Sequence, residues 1–181
     1  MEQLIMRWER ARHTGTVRDN VRKILDSIPA EITLRTFDGS AEDIDSWLEI
    51  VSHGLTAAKE TPAFFHACIN EHGRMEPDKL FFAELNGKPA GTFAVICDHV
   101  NKEGYIHMVA CRPDARGRGI GNIMSAKAVD TLLSSGMETA YLTTDDFRFA
   151  AIRTYLKAGF RPDLSTEDFR KRWQAVFEKI S

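Results

Sequence analysis

Absences bound this chain first. Its three cysteines, Cys68, Cys97 and Cys111, are odd in number and widely spaced with no C-x-x-C pair, so reduced thiols are expected rather than zinc or redox chemistry. A large charge of either sign is missing as well: a formal net charge of -2 lacks the basic surface that general nucleic-acid binding needs. Long apolar runs are lacking, and the opening MEQLIMRWERAR carries charge in every turn, so neither a signal peptide nor a membrane span is expected and the chain is placed in the cytoplasm. There is no repeat, low-complexity tract or interdomain linker. With 43% hydrophobic and 28% charged residues, one well-filled domain over 1–181 is expected.

Val17, Val21, Ile24 and Ile28 recur at helical spacing before Pro29, which makes residues 1–30 a helical lead-in. Glu31 to Phe37 alternates as a half-buried strand does, and Asp43 to Leu55 returns to helical periodicity. Lys79 to Leu85 and Ala90 to Ile96 flank Asn86-Gly87, a pair that tolerates positive φ and favours a tight hairpin. Tyr105 to Cys111 reads as a strand, Ile120 to Ser135 as a helix closed by Gly136, and Glu138 to Thr143 as a further strand. Arg148 to Ala158 is a helix with Asp145 or Asp146 as N-cap and Gly159 just past its end. Ser165 to Asp168 has the form of a capping box. The stripe Phe169, Trp173, Val176, Phe177 and Ile180 then makes a final helix, packed either within the subunit or across an interface.

The segment between strand and helix, Cys111-Arg-Pro-Asp-Ala-Arg116-Gly117-Arg118-Gly119-Ile120-Gly121-Asn122, carries the chemistry. Glycines at such a turn let the backbone approach a ligand, and the first free N–H groups of the helix then face an anion such as pyrophosphate. Arg116, Arg118 and, further along, Lys127 add positive charge, although a glycine-rich turn with exposed arginines also serves as a plain solvated connection. A Walker loop is excluded because no lysine follows the second glycine. The spacing G-x-G-x-G departs from the dinucleotide fingerprint G-x-G-x-x-G.

In these residues the chain resembles the GCN5-related N-acetyltransferases, the GNAT family. Their coenzyme A signature [RQ]-x-x-G-x-[GA] is matched by Arg116, Gly119 and Gly121, and a second family segment by Ala151-Ile152-Arg-Thr-Tyr155-Leu-Lys157-Ala-Gly159-Phe160. The resemblance covers about Glu31 to Phe160. It implies a mixed α/β fold, a mainly antiparallel central sheet flanked by helices, with acetyl-coenzyme A between two splayed strands. By the same resemblance the backbone of Val109, Ala110 and Cys111 meets the pantetheine arm, with a Val109 or Ala110 N–H polarising the thioester carbonyl. Arg116, Gly117, Arg118, Gly119, Ile120, Gly121 and Asn122 form the pyrophosphate turn. Arg148 stands where the family often has asparagine.

The resemblance further implies transfer of an acetyl group to a primary amine by direct attack, with no metal, no nucleic acid and no membrane involved; homodimers are common among relatives. Tyr155 holds the position of the general acid in many relatives, and the same ring also suits packing on the apolar face of its helix. Glu103, Tyr105 and His107 share one face of a strand. His107 is the candidate base, at the place of a strand histidine implicated in amine deprotonation in one family member. Glu103 acting through water is the reserve, and bulk water the alternative to both. Asp98 is a candidate substrate anchor. Acceptor specificity is expected from Trp47, Phe64, Phe65 and His66, with Met75, Glu76 and Asp78 offering contacts to a cationic amine, although the aromatic group also suits a core. The acceptor is expected to be a small-molecule amine. The alternatives are a protein or peptide amine, a non-catalytic coenzyme A-binding sensor, and a nucleotide-binding regulator.

Overall fold

The computed structural model describes residues 2–70 and 76–180. Its seven-stranded sheet has the order β2-β3-β4-β5-β6-β1-β7. The strands are β1 (Leu4–Glu9), β2 (Ile32–Thr36), β3 (Leu80–Leu85), β4 (Lys88–Asp98), β5 (Glu103–Cys111), β6 (Thr139–Thr144) and β7 (Arg161–Pro162). Every pairing is antiparallel except β5 with β6, which α4 (Ile120–Ser134) joins as a crossover. The mixed, mainly antiparallel sheet flanked by helices is the fold class that the sequence implies.

The faces of the sheet carry separate cores. On one, α4 packs with α1 (Gly15–Asp26), α5 (Phe149–Lys157) and α6 (Glu167–Ile180) over Phe93, Val95, Ile106 and Leu142. On the other, α2 (Ala41–Ser52) and α3 (Pro62–Asn70) cover Leu80, Phe82 and Ala94. Covered on both faces, β4 is buried from Ala90 to Cys97 and reads as an apolar run. At Gly104 a Cβ would lie 2.1 Å from Leu132 Cδ2, so the missing side chain lets α4 settle directly on β5.

The hairpin forms at Asn86-Gly87, with φ of 52° and 73°. The terminal helix lays Phe169, Trp173 and Val176 into the chain's own core. Three local expectations are corrected. Residues 1–30 hold a strand as well as a helix: β1 inserts between β6 and β7, with Leu4, Met6 and Trp8 buried and Arg7 Nε donating to Asp163 Oδ2 at 2.6 Å. Arg148, not Asp145 or Asp146, precedes α5 as N-cap, because Asp145 accepts from Arg148 and Asp146 from Arg172. The cap of α6 is Thr166, whose hydroxyl accepts from Phe169 N–H, while Ser165 donates its own N–H to Asp163.

No helix among the described residues is long and apolar enough to cross a membrane.

Candidate active site

β5 runs beside β4 for its whole length but beside β6 only from Glu103 to Ile106, opposite Thr139 to Leu142. Beyond Ile106 the two parallel strands part. At the parting, Thr92 faces Ala110 and Ala94 faces His107, leaving Met108 and Val109 together opposite Phe93, with Met108 at a φ of 51°. One inserted residue reverses the alternation of side chains. His107 therefore shares the α2/α3 side with its neighbour Ala94, whereas Val109, which strict period two would send the same way, packs in the core beneath α4. The bulge also takes a peptide out of the ladder beside the cleft, where it is able to meet a ligand.

After β5 the chain makes a single 3₁₀ turn, Pro113–Ala115, and then passes through Gly117 and Gly119 at φ of 78° and 83° into α4. Left-handed backbone at both positions favours glycine, and nothing lies within 4 Å of where either Cβ would stand. Gly119 caps α4 without a side chain, and the first amide to bond back is Ile123 N–H, to Gly119 O at 3.1 Å. Among the described residues none accepts a hydrogen bond from the N–H groups of Gly117 through Asn122. A run of unpaired amides at a helix start, with the helix dipole behind it, is an anion site. Gly121 lies flat against α5, its absent Cβ 3.4 Å from Thr154 Cγ2.

The basic residues divide their work. Arg118 is exposed at the turn. Arg116 donates from Nε to Cys111 O at 3.2 Å and from Nη2 to His53 O at 2.8 Å. Arg148, on the far wall of the cleft, donates to Asp145 Oδ2 and, at 2.6 Å, to Gly54 O. Two arginines, one following each parted strand, thus meet on consecutive carbonyls at the C-terminal end of α2. The other end of α2 is fixed by a bidentate pair between Arg35 and Asp43, with Arg35 Nε on Glu84. Lys127 stands apart from the anion site, paired with Asp130 at 2.8 Å.

Tyr155 comes up from α5, 6% exposed as a residue, and lines the inner end of the cleft with Val109, Ile106, Leu142, Ser125 and Phe160. Its edge meets Phe160 at 6.3 Å between centroids. Burial pushes its phenol up to about 12, against a small opposing pull from Arg148, so the proton is held firmly at neutral pH. Packing residue and candidate acid are here the same ring.

The remaining candidates are scattered. His107 is buried beside Tyr105, 5.0 Å between rings, and Tyr105 stacks on Tyr141 at 4.6 Å. Glu103 begins β5 at its closed end, roughly 20 Å along the strand from Val109 at a rise of about 3.3 Å per residue, and is not brought to the cleft. Asp98 accepts from the Val100 and Asn101 amides and so shapes the β4–β5 turn. Trp47 and Phe65 are core residues in edge contact at 5.1 Å, Phe64 packs beside Trp47, and His66 lies against Phe65. Glu76 pairs with Lys79 and His99, and Met75 lies outside the described residues. The bulge and the destinations of the arginines had no signal in the sequence; these partners lie as far as 63 and 94 residues away.

Comparison with known proteins agrees with this geometry. Residues 44–160 match the Acetyltransferase (GNAT) family. A mycothiol acetyltransferase of Streptomyces bingchenggensis is 28% identical over 138 residues, which are 74% of this chain and 44% of that protein. The chain therefore spans about half the length of the curated relatives it matches. A GCN5-related N-acetyltransferase from Sphaerobacter thermophilus superposes with a TM-score of 0.67 at 20% identity, over 90% of this chain and 50% of that one. The NatC complex bound to Gag peptide and CoA aligns at a TM-score of 0.57 and 22% identity, over 70% and 82%. With its glycine turn, parted strands and matched segment in one place, the chain belongs to the GNAT acetyltransferase family.

Proposed function

We propose that this chain is an N-acetyltransferase that takes the acetyl group of acetyl-coenzyme A and passes it to a primary amine of a small molecule by direct attack. The observation that carries it is the run of amides from Gly117 to Asn122, turned outward at the start of α4 beside a strand that has lost its neighbour. The pyrophosphate accepts from those amides, and Arg118 adds charge at the rim. The pantetheine arm lies along Val109 to Cys111, and a bulge amide at Val109 or Ala110 donates to the thioester carbonyl. The neutral amine attacks the carbonyl carbon, forming a C–N bond. Collapse of the oxyanion then breaks the C–S bond, the departing thiolate takes the Tyr155 proton, and the second proton shed by the nitrogen as the amide forms passes through water and restores the phenol. His107 removes the proton from the incoming ammonium on the other face of the sheet, where the strands part. The mycothiol acetyltransferases among the relatives favour a small-molecule acceptor, while the peptide seen in the NatC complex keeps a peptide amine as the second reading.

Thermal shift with acetyl-coenzyme A, coenzyme A and ATP tests the binding site, since a ligand for the folded state raises the apparent melting temperature. Stabilisation by both coenzyme A species is expected; stabilisation by ATP alone removes the acetyltransferase reading. Thiol release over amino sugars, polyamines, amino acids and peptides then fixes the acceptor. Turnover with peptides alone moves the acceptor class to protein amines, and binding without turnover on any amine leaves a coenzyme A sensor.

A further inference from the structure

At the end of β4 remote from the cleft, Glu76, Cys97 and His99 bring a carboxylate oxygen, a thiol sulfur and an imidazole nitrogen within 4.8 Å of one another. Cys97 and His99 stand two apart along the chain. Glu76 arrives from the segment before β3, where the 3₁₀ turn Pro77–Lys79 packs on β4. The site grades from core to solvent: Cys97 is 2% exposed, and the Glu76 and His99 side chains are 38% and 57% exposed. His99 Nε2 and Glu76 Oε1 are 3.2 Å apart, close to the separation of about 3.3 Å that bonds of about 2.0 Å at a tetrahedral angle impose on two donors of one ion. Lys79 takes the other oxygen of Glu76, orienting the carboxylate as an outer partner does, with Oε1 left toward His99. The neighbouring Asp98 is already committed to the turn amides.

We infer that Glu76, Cys97 and His99 form a binding site for a thiophilic divalent cation of the zinc type, with a fourth position open to water. A thiolate and an imidazole select such an ion over magnesium or calcium, which prefer all-oxygen shells. Cys97 and Asp98 lie opposite Gly104 and Glu103, at the end where β5 and β6 are still paired, so the ion takes no part in acetyl transfer. It ties the approach to β3 onto the end of β4. Twenty residues separate Glu76 from Cys97, a gap unlike the short ligand spacings that mark zinc sites in a sequence.

The test is titration of the full, reduced chain with cobalt(II) alone, followed by zinc(II). One equivalent of cobalt is expected to give a thiolate-to-cobalt charge-transfer band in the near ultraviolet with the visible bands of a tetrahedral ion, and zinc should bleach both. Cys97→Ser should remove the charge-transfer band while Cys68 and Cys111 remain, and His99→Ala should weaken cobalt binding about tenfold or more. Absence of the band in the unaltered chain, or its survival in Cys97→Ser, overturns the site. If Cys97→Ser does not fold by circular dichroism, the more exposed variants His99→Ala and Glu76→Gln decide it: unchanged cobalt affinity in both overturns the site.

Discussion

Tyr155 is where the fold and the proposed chemistry meet in one residue. Burial that makes it a core ring also pushes its phenol up to about 12, so it is protonated at neutral pH, and in the proposed reaction it gives that proton to a thiolate only where the sulfur is buried beside it and its own basicity is raised in the same way. Tyr155→Phe is expected to lower kcat by about 10²-fold or more with little change in the KM for acetyl-coenzyme A, as steady-state thiol release would show. An unchanged kcat would leave the ring with packing alone. His107 makes a separate prediction: if it deprotonates the amine, His107→Ala should abolish the acidic limb of the kcat/KM profile near the histidine range, and an unaltered profile would return that role to water. At this scale the sequence was most informative where a residue's type is dictated by its own backbone, as at Gly117 and Gly119 with their positive φ. It was silent where the partner is distant, as for Arg116 and Arg148 on the carbonyls of His53 and Gly54.

Among the elements, β1 is the one that periodic reading passed over. Leu4, Met6 and Trp8 do alternate with Ile5, Arg7 and Glu9, but so short a period-two signal is hidden by charges when the segment is scanned for long apolar runs. Its place in the sheet depends on a partner at the other end of the chain. Asp163 is 7% exposed, accepts from Arg7 and from the Ser165 amide, and its own N–H donates to Ile5 O. Burial works to raise its pKa, but the hydrogen bonds from Ser165 and the nearby Arg7 charge prevail and lower it. A carboxylate depressed in the folded state adds stability that is complete above the unfolded-state value and is lost as pH falls through the folded one. Asp163→Asn should therefore cost about 1.5–3 kcal/mol at neutral pH and much less in strong acid, measured by urea unfolding at both. An equal cost at the two pH values would show that the charge is immaterial. The cap of α5 teaches a related lesson: Asp145 and Asp146 have the right chemistry for capping but are drawn off, Asp145 by Arg148 three residues on and Asp146 by Arg172, which only tertiary structure brings near.

For the molecule as a whole, the sheet and its two cores were legible because burial sets the hydrophobic period, whereas the cleft is defined by what is interrupted: a ladder that stops at Ile106 and an alternation that reverses at Met108. Across that opening, Arg116 and Arg148 hold one turn from opposite walls. Either contact alone is expected to keep the turn in place, so Arg116→Ala and Arg148→Ala should each raise the KM for acetyl-coenzyme A modestly, and the double variant by more than the product of the two. Faster amide exchange at residues 53–60 in the double variant would report the same loosening; strict additivity would mean that the arginines act independently.

Followed around, β5 from its pairing at Ile106 leads through the 3₁₀ turn Pro113–Ala115 to Arg116, across His53 and Gly54 to Arg148, and back along β6 to Leu142, where it closes on itself. Such a circuit is an eyelet, not an open trough. On the proposed function, a long cofactor lying through it would be threaded like cotton through a needle, and its exchange would need either end-on passage or the breaking of a guanidinium contact.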